Sequence, residues 1–95
     1  SIFPEDKAMQ LSARNIKLIE EIAKRTEIIE TQVEELVNAR KVANKIESER
    51  EKAIAYHDTV APKMETIREQ IDKLELIVED DLWTLPKYRE LLFIR

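Results

Sequence analysis

The chain contains no glycine, and from Glu5 to Ala61 it contains no proline either. Glycine is the residue that enters left-handed turns and close backbone approaches without steric cost. Without it, the primed turns of tight β-hairpins and the glycine-rich loops that cradle phosphate are unavailable. A compact all-β or α/β domain is therefore excluded in practice. Charged residues make up 38% and apolar residues 43% of the chain, and most of them favour helix. The class this dictates is all-α.

The chain's 95 residues are enough for a single domain, 1–95. The net charge of −4 comes from acids and bases that interleave, which argues against nucleic acid or an anionic membrane as the main partner. The absence of cysteine removes disulfides, thiolate metal sites and thiol nucleophiles together. No apolar run approaches the roughly 18 residues of a membrane span. A soluble, cytoplasmic chain is the expectation.

Periodicity divides the helical material into two stripes. Pro4, followed by Glu5 and Asp6, reads as a helix start, because proline suits the first position and acids complement the helix dipole. Met9, Leu11, Ile16, Ile19, Ile22, Ile29, Val33, Leu36 and Ala43 then follow one helical stripe, interrupted by Thr26 and Arg40. Val60, Met64, Ile67, Ile71, Leu74 and Val78 alternate steps of four and three, a heptad seam whose backward extension passes through His57 and Ala53. The pattern predicts helix 1 over about 5–44 and helix 2 over about 48–79.

The reversal is placed between Asn38 and Ser48. Ser48-Glu-Arg-Glu51 matches a capping box, and Asn38 and Asn44 are the other breaks, since Asn tolerates the left-handed conformation at a helix end. The rival is one continuous helix to about Thr59. Pro62 removes a helical hydrogen bond and clashes one turn back, so a kink is expected there. Glu79-Asp-Asp81 is unfavourable at a helix C-terminus, and Pro86 restricts Leu85 to extended backbone. Helix 2 should thus be over by Asp81, leaving a separate aromatic segment, 82–95. The expected architecture is an elongated antiparallel two-helix hairpin, coiled-coil-like, kinked near Pro62.

Few residues invite a chemical role. His57 is the single histidine and has no second His or Cys for company, so it reads as a polar residue near the kink and not as a ligand. Glu79, Asp80 and Asp81 lack the glycine and alternating oxygens of a calcium loop. Arg40 and Arg50 snorkel outward from the stripes. No catalytic, cofactor or metal residue is assigned. The C-terminal segment differs, because it holds the sole Trp and four apolar residues in a row, Leu91 to Ile94. A contiguous apolar patch on a charged rod marks an interface. The assigned docking residues are Trp83, Tyr88, Leu91, Leu92, Phe93 and Ile94.

Those same residues carry a resemblance. Ala55-Tyr-His-Asp-Thr-Val-Ala-Pro-Lys-Met64, Ile67-Arg68, Asp72-Lys-Leu-Glu75 and Trp83-Thr-Leu-Pro-Lys-Tyr-Arg-Glu-Leu-Leu-Phe93 resemble the C-terminal region of type III glutamine synthetases. The family's order and spacing are matched over 55–95, with Thr84 standing where the family usually has proline. Residues 5–50 are compatible with the family's helical segment without being diagnostic of it.

The resemblance implies a fragment of a much longer glutamate–ammonia ligase, with Ser1 a remnant of its preparation. ATP and magnesium would be bound upstream, in an enzyme of stacked hexameric rings. None of the family's catalytic residues can be placed on this segment. The expected role is a structural and assembly module whose partners are the catalytic body and neighbouring subunits, with self-association of the isolated fragment through its stripes. The alternative is a free-standing coiled-coil adaptor that binds partner helices, which a reading frame without an upstream catalytic domain would favour. A third possibility, regulation at the Pro62 kink, has only the kink in its favour.

Overall fold

The computed structural model describes residues 4–91, and every regular element among them is helical. Helix α1 runs Pro4–Asn44, with Glu5 and Asp6 in its first turn. After a short reversal, α2 spans Glu49–Ala55, a single wide π-turn spans Tyr56–Val60, and α3 spans Ala61–Leu91. At about 1.5 Å per residue, forty residues of helix reach roughly 60 Å. The principal extents of 70 × 18 × 18 Å are those of two such helices lying side by side.

The arms run in opposite directions. Arg14 of α1 ion-pairs with Asp81 of α3. Arg25 Nη1 donates to Gln70 Oε1 at 3.5 Å. At the closed end, the Tyr56 hydroxyl donates to Asn44 Oδ1. Arg14 and Arg25 are separated by the same number of residues as Gln70 and Asp81, so the arms keep one register between those contacts.

The continuous-helix rival does not form, because α1 stops at Asn44. Its last turn tightens, with Lys45 N donating to Val42 O at 3.2 Å and Ile46 N to Ala43 O at 3.1 Å. Ser48 then sits in extended backbone, φ −68° and ψ 121°, and its hydroxyl accepts from Glu51 N at 3.3 Å. Half of the capping box is therefore present. The Ser oxygen satisfies a free backbone donor of α2.

The expected end of α3 needs correction. Glu79–Asp81 does not end the helix, which continues through Pro86 to Leu91. Arg14 neutralises one of the three acids, and the Thr84 hydroxyl donates to the Asp80 carbonyl at 2.8 Å. Pro86 has no N–H to offer the Leu82 carbonyl, a local loss that the helix on either side absorbs. Around Pro62 the structure places a π-turn, with Ala61 N–H donating to Tyr56 O one residue further back than an α-helix would. The wider turn relieves the clash of the proline ring with the preceding backbone.

That extra residue shifts the helical phase. Ala53 and His57, on the backward extension of the seam, are exposed, while Lys52 and Ala55 of α2 and Tyr56, the first residue of the turn, are half-buried. The core is small. Among the described residues the buried apolar side chains are Ala43, Val60 and Ile67, of which Ala43 and Val60 sit at the closed end.

Candidate docking surface

The seam between the arms takes only part of the apolar stripes. On α3 the inward positions after Val60 are Lys63, Ile67, Gln70, Leu74, Ile77 and Asp81, each buried or half-buried. Met64, Ile71 and Val78, which the heptad pattern puts in the seam, are instead 56%, 40% and 41% exposed. On α1 the corresponding inward positions include Arg14, Arg25 and Gln32. The inner rows are therefore mixed: Val60, Ile67 and Leu74 alternate with polar residues, and the other half of the stripe stays outside.

The polar seam is partly satisfied. Arg25 Nε donates to Glu21 Oε1 at 2.9 Å on its own helix while Nη1 reaches Gln70. Gln32 Oε1 is buried and has no hydrogen-bond partner among the described residues, a cost that apolar packing would avoid. Beside it, Glu35, Lys63 and Thr66 line a shallow cleft between the arms. A seam of this composition holds two helices in register, with only Ala43, Val60 and Ile67 buried among the described apolar residues.

The assigned docking residues divide. Trp83 lies within α3 and is 79% exposed, one heptad after the exposed Leu76. Tyr88 and Leu91 belong to the last turns of the same helix. Leu92, Phe93 and Ile94 lie outside the described residues. Sequence reading missed the exposed row on α3, because an apolar residue one step from the seam has the same periodicity as one inside it. The signal available was the polar row at Lys63, Gln70 and Asp81, which lies along one side of the helix at steps of seven and eleven residues, about two and three turns.

His57 Nδ1 lies 3.0 Å from Asp58 Oδ1 on the exposed π-turn. No cluster of three or more His, Cys, Asp or Glu side chains converges on a metal position among the described residues. None of the described helices is long and apolar enough to cross a membrane. The surface that does stand out is apolar and elongated, suited to packing against another helix.

A solvent-facing apolar row thus lies along α3 of an elongated helical chain. Over 94 residues, 99% of the chain, it is 48% identical to a protein named glutamine synthetase from Bacteroides fragilis (strain YCH46). Over 48 residues, 50% of the chain, it is 46% identical to a type-3 glutamine synthetase from Dictyostelium discoideum. The resemblance to type III glutamine synthetases therefore rests on identity along the chain and not on motifs alone. The chain spans 13% of the length of the first relative, and its match to the second covers 6% of that protein. No family model matches the chain, and no solved structure does.

Proposed function

We propose that this chain is the non-catalytic C-terminal helical region of a type III glutamine synthetase, acting as a structural and assembly module. The parent would be a cytoplasmic, oligomeric ligase that joins ammonia to glutamate at the expense of ATP, with ATP and magnesium held elsewhere in the enzyme. Within it, the coiled-coil-like arms, bent at the Pro62 turn, would serve as a strut. Trp83 and the segment from Tyr88 through Leu91, Leu92, Phe93 and Ile94 would dock on the catalytic body or a neighbouring subunit. The observation that carries this reading is the pairing of whole-chain identity to a small share of a glutamine synthetase with an exposed Trp83 on a rod of little core.

Truncating the full-length enzyme after Asp81 tests it. The expected result is a smaller assembly or a lower melting temperature, with the catalytic site chemically intact. An enzyme of unchanged oligomer size and unchanged thermal stability would refute the proposal.

A further inference from the structure

The two long sides of the hairpin differ in character. One carries the polar cleft of Gln32, Glu35, Lys63 and Thr66 along its middle and an apolar groove at Ala39, Val42 and Ala55 only near the closed end. On the other, several inward residues are followed by an apolar one: Ile22, Ile29 and Val33 on α1 follow Glu21, Ile28 and Gln32, and Met64, Ile71 and Val78 on α3 follow Lys63, Gln70 and Ile77, with Arg68 and Glu75 between them. Successive residues turn about 100° in the same right-handed sense. Because the arms are antiparallel, one step past the seam leads to the same side on both. On α1 the apolar character continues outward to Ile19, which is 65% exposed.

An arc of this kind faces two neighbours. Its inner edge meets the other arm, its middle points to a shared axis, and its outer edge meets a third helix, as in a four-helix bundle. The surface area agrees. The chain exposes 7778 Å², whereas a compact protein of its mass would expose about 5,700 Å². Two copies thus carry an excess of about 4,000 Å², within the range that permanent dimers bury.

We propose that this face packs against the same face of a second copy of the chain, forming an antiparallel four-helix bundle whose two-fold axis passes near Ile71. A two-fold interface needs a charged residue and its complement on the same copy. Arg68 and Glu75 meet that need. Both border the cleft that Met64 and Ile71 line, and they lie one heptad apart on either side of Ile71. Two α3 helices crossing antiparallel at Ile71 set each Arg68 beside the other copy's Glu75, closing two equivalent ion pairs over the apolar centre. The inference rests on the hairpin alone and stands whether or not the chain serves a glutamine synthetase.

Sedimentation equilibrium on the 95-residue chain is the test, with helical circular dichroism confirming that each variant is folded. The expected mass is that of two chains of 11.2 kDa. Arg68→Glu should raise the dissociation constant about tenfold, since both symmetric pairs become repulsive. Arg68→Glu combined with Glu75→Arg should restore the original value, and Thr31→Glu on the polar side should leave it unchanged. A mass other than two chains, a dimer indifferent to Arg68→Glu, or a double variant as weak as the single one would each overturn the proposal.

Discussion

Arg25 and Gln70 meet across the arms, guanidinium to amide at 3.5 Å, while Ile71, the next residue along, faces solvent. The polar residue of the pair lies inside and the apolar one outside. This arrangement lowers the stability of an isolated hairpin and leaves apolar area for another surface.

Replacing both Arg25 and Gln70 with Leu should therefore stabilise the hairpin. An apolar pair of similar volume avoids the desolvation of the guanidinium, and a gain of about 1 kcal/mol is expected. Urea unfolding followed by helical circular dichroism measures it. A double variant less stable than the original would mean that the polar contact holds the arms together.

Ser48 carries the restart of the chain after the reversal. Its hydroxyl accepts from Glu51 N, and Ser48→Ala should cost about 1 kcal/mol through the loss of that cap. Ser48→Asp should be nearly neutral, because Asp caps as well as Ser and favours the positive end of the helix dipole. Equal losses for the two variants would rule out capping as the role of Ser48.

Pro62 has already imposed its cost on the backbone by way of the π-turn. Pro62→Ala restores an N–H but leaves the wide turn without a cause. Closing that turn would rotate residues 49–55 by about 100° and separate Tyr56 from Asn44. The two effects oppose each other, so the thermal unfolding free energy should stay within about 1 kcal/mol of the original. A gain of the full ~3 kcal/mol that removal of an interior proline gives elsewhere would show that the turn does not accommodate the ring.

Trp83 lies exposed on α3. Trp83→Ala should change the stability of this chain by less than about 0.5 kcal/mol, and the intact indole should fluoresce as a solvated one. A blue-shifted emission, or a large loss of stability, would place Trp83 in a core that the described residues do not contain.

The helical class, the start at Pro4, the amphipathic stripes and the capping role of Ser48 follow from the residues themselves, because each depends on local backbone chemistry. The missing glycines and the spacing of apolar residues carried the first and third, and the Pro4-Glu5-Asp6 start and the Ser48-to-Glu51 spacing carried the other two. Which half of each stripe would face the other arm did not follow. Met64, Ile67 and Ile71 share one periodicity, and only Ile67 is buried. Two tertiary facts decided it: the π-turn before Pro62 adds a residue and shifts the phase of the returning arm, and the contacts of Arg14 with Asp81 and Arg25 with Gln70 bring a polar row inside. A heptad pattern gives the direction of an apolar stripe on its own helix. How that stripe is shared among neighbours depends on how many helices surround it, and that number is set by packing.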